Sequence, residues 1–157
     1  MLADTHIRES GASRLSHRAW DELSTADVVL HAGDIVDHSL LAQLQAIAPV
    51  YAVRGNNDVA LGALPLTVEL ELGGVSIAMI HDSGPRGGRE QRLHRQFPNA
   101  RVVIFGHSHI PWNEPGLHDQ LLFNPGSPTQ RRRQPHRTLG VLHLDPNAVR
   151  SEIVNVD

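Results

Sequence analysis

The chain holds no cysteine and no lysine in 157 residues. Without cysteine there are no disulfides, no thiolate metal sites and no thiol nucleophile. Without lysine, a phosphate-binding Gly-Lys-Ser/Thr loop and Schiff-base catalysis are both excluded. All 14 basic residues are arginine, and against 17 acidic residues they leave a net charge of -3. A dedicated nucleic-acid groove normally shows as a basic domain, so none is expected, whereas a small nucleotide substrate stays compatible. Long apolar runs are missing too: none approaches the about 20 residues of a membrane span. No charged-then-apolar leader is expected ahead of the fold. These absences point to a soluble, cytoplasmic protein with no membrane partner.

The length suits one domain over residues 1–157, large enough to bury about 70% of its unfolded surface. No internal repeat, linker or low-complexity stretch interrupts it. Residues 28–31, 50–54, 75–81 and 102–105 read as short buried strands, each followed at once by a Gly, Asp or polar loop. Between them, Leu15, Ala19, Trp20 and Leu23, then Leu40, Leu41, Leu44 and Ile47, repeat at helical spacing, with Pro49 closing the second pattern. Val68, Leu70 and Leu72 alternate with Glu69 and Glu71 before Gly73-Gly74 turns the chain into 75–81, a hairpin with one wet face. After Pro111 a Pro/Gly-rich loop is expected, then late strands near 121–123, 139–144 and 152–156. Strand and helix alternation followed by hairpin strands predicts an α/β fold, a two-sheet β-sandwich flanked by helices.

Asp4-Thr5-His6, Gly33-Asp34, Gly55-Asn56-Asn57-Asp58, His81 and Gly106-His107-Ser108-His109 follow one another, each at the end of a short apolar run. Oxygen and imidazole ligands of this kind suit Mn, Fe, Zn or Ni. Singly each motif is weak: with 11 histidines, chance alone gives roughly 0.7 His-x-His. The ordering carries the information, because every candidate ends a predicted strand and several adjoin glycine. Beyond the carboxyl ends of strands is where α/β sheets bind ligands. Asp34 follows Gly33, which leaves room for close metal approach, and a carboxylate can bridge two cations. Two metals about 3.5–4 Å apart would share it and a hydroxide, whose pKa their charge would bring toward neutrality.

Taken together, Asp-x-His, Gly-Asp, Gly-Asn-x-Asp, a strand-end His and Gly-His-x-His resemble the calcineurin-like metallophosphoesterase superfamily. The short length and the Gly-Asn-Asn-Asp form are similar to its small bacterial and archaeal phosphodiesterase branch. Asn124-Pro125-Gly126-Ser127 resembles that branch's late Asn-Pro-Gly-Ser loop. The resemblance implies a binuclear hydrolase with two divalent ions, Mn2+ foremost, with Ni2+, Fe or Zn2+ also compatible. It implies that Asp4, His6, Asp34 and His109 hold one metal, and Asp34, Asn56, His81 and His107 the other. Asn56 fits physically, since a neutral amide oxygen adds a ligand without excess negative charge. His81 precedes Asp82-Ser83 where the family often shows His-Gly-His, and the first His of that pattern is the matching ligand.

Asn57 is the departure that matters most. Many superfamily phosphatases carry His here, where it protonates the leaving group or steadies the phosphoryl oxygens. Asn donates a hydrogen bond but delivers no proton at neutral pH. The expected substrate is therefore a small phosphodiester with a good leaving group, a nucleotide being one candidate. Asp34 and Asn57 are the candidate catalytic residues, and Asn57 is also a candidate substrate contact. Arg131, in the run Arg131-Arg132-Arg133, is a candidate phosphate clamp near the Asn-Pro-Gly-Ser loop, the alternative being a solvated charge run. His31 reads as a core histidine or a support for the ligands, and Trp112 either walls the site or packs. Two rival readings stand beside the diesterase: a phosphomonoesterase of the same fold, and a non-catalytic scaffold like the eukaryotic retromer subunit that resembles this fold. The intact ligand set argues against the scaffold. Homo-oligomerisation stays open. Only Met1-Leu2-Ala3 precede Asp4, against about 5–6 residues in a usual strand. Either that strand is a stub, or the start lies further upstream and restoring it stabilises the fold and the first metal site.

Overall fold

A computed structural model describes residues 1–8 and 15–157. Apolar residues along the strands sort onto two faces with the period of two that a pleated strand imposes. In β1 (Val29–His31) and beyond it, Leu30 and Ala32 face the interior while Val29 faces the helices. In β4 (Val75–Ile80), Val75, Ile77 and Met79 join Leu30 and Ala32 in a core between two sheets, while Ala78 and Ile80 face away. In β5 (Val102–Ile104), Val102 and Ile104 point inward and Val103 outward. The outward set packs on Leu93 of α3 (Arg89–Gln96) and on the Phe97 that follows it.

One sheet has the order β3-β4-β5-β7-β6, completed by β3 (Thr67–Leu72), β7 (Leu121–Asn124) and β6 (Trp112–Pro115). Its three central strands, β4, β5 and β7, run parallel, and both edges are antiparallel. The facing sheet grows from the parallel pair of β1 and β2 (Val50–Ala52). Leu2 bridges His31 in parallel register, and Met1 and Gly140 exchange backbone hydrogen bonds of 2.6 and 3.0 Å. That exchange attaches the antiparallel hairpin of β8 (Thr138–Asp145) and β9 (Ala148–Asn155). Asn113 and Ser151 then tie β6 to β9 across the sandwich with bonds of 2.8 and 3.2 Å. On the outer face of this sheet lie α1 (His17–Ser24), capped by Ser16, and α2 (His38–Gln45), capped by Asp37. Their Ala19, Leu23, Leu40 and Leu44 pack on Val29, Leu139 and Val154. The architecture is the expected two-sheet sandwich with helices outside. No helix among the described residues is long and apolar enough to cross a membrane.

Two elements differ from the sequence expectation. Residues expected as loop form the edge strand β6, where Pro115 is tolerated because an edge leaves one side of the strand without ladder partners. Helix α3 has only Leu93 buried among charged neighbours, so it shows no apolar stripe to read. The strands β2, β4 and β5 stop one or two residues before their predicted ends. Those last residues lead into the loops that carry the site.

Candidate metal centre

Asp34 follows β1, Asn56 follows β2, His81 follows β4, and His107 and His109 follow β5, while Asp4 and His6 follow the bridge at Leu2. All lie at one end of the sandwich. The backbone there is unusual. Asp4, His6, Asp34, His107 and His109 have φ between 46° and 67°, the left-handed region that L-residues rarely adopt and that gathers at functional sites. Two glycines permit the close approach. A Cβ on Gly55 would lie 2.1 Å from Asp34 Oδ1, and one on Gly33 would lie 2.7 Å from His81 Nδ1. The room left by Gly33 is therefore taken by the His81 ring and the Gly55 backbone, rather than kept for a metal as the sequence reading has it.

The seven predicted ligands form one continuous cluster. Asp4 Oδ1 is 3.5 Å from His109 Nε2, which is 3.2 Å from His6 Nε2. Asp34 Oδ2 lies 3.6 Å from His6 Nε2 and 3.5 Å from His81 Nε2. Asn56 Oδ1 lies 3.1 Å from His81 Nε2 and 3.0 Å from His107 Nδ1. Asp34 thus touches both halves. Candidate cation groups are Asp4 with His6 and His109, and Asp4 with Asp34 and His81.

Hydrogen bonds behind the rings fix which nitrogens face inward. His81 Nδ1 donates to the Ala32 carbonyl at 2.8 Å and His109 Nδ1 to the Gln130 carbonyl at 2.9 Å. In the neutral ring this leaves each Nε2 as a lone pair aimed into the cluster. Lone pairs and carboxylate oxygens packed this closely repel unless a proton or cation stands among them. One acceptor has nothing else: Asp4 Oδ2 is buried without a hydrogen-bond partner, a defect that costs about 1–3 kcal/mol or more. Four imidazoles, two carboxylates and an amide oxygen are a donor set that fits two divalent ions.

The titration behaviour follows from this crowding. Burial pushes Asp4 up to about 7, and burial lowers His109 to about 4 and holds His6 below the usual imidazole value. Burial also works to raise Asp34, but hydrogen bonds from His81 and Asn57 outweigh it and hold the carboxyl well below the usual range. At His81, burial acts to lower the value, and the bonds to Asp34 and Ala32 more than reverse it.

Asp58 and Thr129 carry no role in the sequence reading, whereas His31 has there the choice of core or support. Asp58, buried, accepts from Asp34 N (2.9 Å), Gly55 N (2.7 Å) and Val36 N (2.7 Å), so it pins the loops after β1 and β2 together. Its place in Gly-Asn-Asn-Asp was the available signal. His31 accepts from Gly33 N at 3.2 Å and meets the Thr5 hydroxyl at 3.1 Å, a support for two ligand loops. Ser127 and Thr129 donate to the Asp4 and Thr5 carbonyls at 2.8 and 2.7 Å, and Asn124 donates to the Gly106 carbonyl at 2.9 Å. The Asn-Pro-Gly-Ser loop thus holds the ligand loops and needs no substrate contact to justify its sequence.

The candidate substrate contacts are placed differently from one another. Asn57 donates to Asp34 twice, from its backbone N at 2.9 Å and from Nδ2 at 2.6 Å. Arg131 is exposed and donates to the Pro135 carbonyl at 3.0 Å. Within its run it is Arg132 whose charge acts on Asp4, His6 and His109. Trp112 packs beneath Arg86 and Arg89, at 5.0 and 5.1 Å from its ring. An open cavity of about 640 Å³ reaches Asn56, His81 and His107.

Residues 1–147 match the model of the calcineurin-like phosphoesterase superfamily domain. A protein of Methanocaldococcus jannaschii described as a probable metallophosphoesterase is 38% identical over 135 residues, which span 84% of this chain and 68% of that one. Among solved structures, wild-type Vps29 of Entamoeba histolytica complexed with zinc superposes with a TM-score of 0.77 at 22% identity, covering 99% and 97% of the two chains. A structure described as a novel archaeal phosphodiesterase gives 0.74 at 20% identity, covering 98% and 97%. At such identities these two share the fold. The family model spans every candidate ligand described above, and the chain belongs to the calcineurin-like phosphoesterase superfamily of metallophosphoesterases.

Proposed function

We propose that the protein is a metal-dependent phosphodiesterase of small soluble diesters, nucleotides among them, acting in the cytoplasm. The observation that carries the choice of ester is position 57. No imidazole stands there; an asparagine does, and its amide is turned to Asp34 at 2.6 Å. A monoester with an alkoxide leaving group needs a proton donor most, and a diester with a good leaving group needs it least. Bound among these ligands, two divalent ions, Mn2+ foremost and Ni2+, Fe or Zn2+ also compatible, would supply charge neutralisation at the phosphoryl oxygens and an acidified water for in-line attack.

The chain's own residues do the rest. Asp34, held from both oxygens by Asn57, is positioned to serve both ligand sets. Asn56 keeps the second set from gathering a further negative charge. His81 and His109, fixed from behind by carbonyls, cannot turn their Nε2 atoms away. Arg132 adds positive charge beside Asp4 and His6, which favours an anionic substrate. The fold likeness to an archaeal phosphodiesterase accords with this reading. A scaffold role leaves the orphaned Asp4 Oδ2 without a purpose.

The test is a metal-replete panel of cyclic nucleotides, linear diesters and monoesters, with Asp34→Ala as control. Diester turnover is expected to exceed monoester turnover. Asp34→Ala should lose activity and paired metals by mass spectrometry while keeping its fold by circular dichroism. Monoester preference, or two retained equivalents of metal with wild-type turnover in the variant, overturns the assignment.

A further inference from the structure

The cavity of about 640 Å³ beside Asn56, His81 and His107 has an apolar wall made by Val59, Leu66 and Ile80. Val59 is 88% exposed and Leu66 62% exposed, so neither contributes to the core. A single exposed aliphatic residue needs no explanation. Here two line one hollow with the metal ligands. Val59 stands one residue after Asp58, Ile80 immediately precedes His81, and Leu66 leads into β3. Val59 and Ile80 therefore belong to the segments that present the second ligand set, and Leu66 closes the wall from the entry to β3.

The cavity is lined by one guanidinium, Arg54, and two carboxylates, Asp58 and Asp82. Arg54 donates to the Gly62 carbonyl at 3.2 Å, Asp82 accepts from Gly84 N at 2.7 Å, and Asp58 is spent on three backbone amides. One guanidinium against two carboxylates offers no excess of positive charge to hold a second phosphate. The volume lies within the about 300–1,000 Å³ usual for small-ligand sites.

We propose that this cavity is the subsite for one ring-sized, uncharged ester arm of the substrate, a nucleobase or aryl group seated on Val59, Leu66 and Ile80. The inference rests on the phosphoester reading and narrows it: diesters with one such arm are preferred over those whose arms are small or carry further phosphates.

Phenylphosphonate and methylphosphonate, which share a headgroup and resist hydrolysis, separate the wall from the chemistry. Their binding to the metal-loaded protein is measured by calorimetry, in wild type and in a Val59→Ser, Leu66→Ser double variant checked for its fold by thermal melting. Phenylphosphonate is expected to bind at least about tenfold tighter to the wild type, the scale set by added apolar groups in a pocket. In the double variant that advantage should vanish, with methylphosphonate affinity unchanged. Equal affinities in the wild type, a preference that survives in the variant, or no binding of either compound overturns the subsite. Neither compound is cleaved, so a phenyl preference in a protein that hydrolyses no diester leaves the subsite standing and removes only the diesterase reading.

Discussion

Asn57 joins the two questions a single residue can answer here: how the central carboxylate is held, and whether a proton is available to the leaving group. Its amide donates to Asp34 Oδ2 at 2.6 Å, and that bond is one of those that keep the Asp34 carboxyl low. Asn57→His replaces the amide by a group that can carry a proton, a change that general acid catalysis values at about 10²–10⁴-fold. Monoester hydrolysis should rise relative to diester hydrolysis. Rates on paired aryl and alkyl phosphates measure it, and an unchanged ratio shows that position 57 stays turned to Asp34 and away from substrate. That the candidate ligands gather in one cluster was legible, because each ends an apolar run and they recur in order. The direction of the Asn57 side chain was not, since its partner lies 23 residues away and only the folded loops bring them together. Nor does a run of three arginines say which one faces the site; in the structure Arg132 has φ 50° and Arg131 caps a local carbonyl.

At the scale of elements, the site depends on loops that leave strand ends in step, and Asp58 is the tie between two of them. Its carboxylate takes three backbone amides from the loops after β1 and β2. Hydrogen bonds to a charged group are worth about 1.5–3 kcal/mol each, and they are not additive when shared by one side chain. Asp58→Ala should therefore destabilise the metal-free fold by about 3 kcal/mol and lower metal occupancy, because Asp34 N loses its anchor. Asp58→Asn, which keeps acceptor capacity on one atom only, should fall between. Denaturant titration and metal analysis check both, and an alanine variant that matches wild type in each shows the loops are held by other contacts. The sequence makes the sheets readable where strands are buried on both faces, as in β4 and β5. Helix α3 offers a single buried leucine and no period. The pairing of Met1 with Gly140 spans 139 residues, beyond the reach of any local pattern.

Over the whole molecule, the ligand end is where stability is given up. Five candidate ligand residues sit in left-handed backbone, at about 1 kcal/mol or more each, within a net stability that for a domain is only about 5–15 kcal/mol. To this is added Asp4, whose pKa burial raises to about 7. The sign follows from comparing states. The unfolded chain releases this proton near pH 4, whereas the folded protein keeps it until about 7. The metal-free fold therefore has this contribution in full below about 4 and loses it as pH rises through about 7. Divalent ions bind the ionised carboxylate, so they compete with the proton below 7 and meet no such competition above it. His109, lowered to about 4, and His6, also lowered, are already unprotonated near neutrality and scarcely compete, while His81, raised, adds to the effect of Asp4. Metal affinity should thus rise from pH 5.5 to 8, and the gain in melting temperature on loading should rise with it. Calorimetry in buffers of different ionisation enthalpy should find about one proton or more released per loading event at pH 6 and fewer at pH 8. Release that does not change across this range would mean that Asp4 is already ionised in the metal-free protein, its charge compensated by Arg132 and His81 more fully than its burial opposes it.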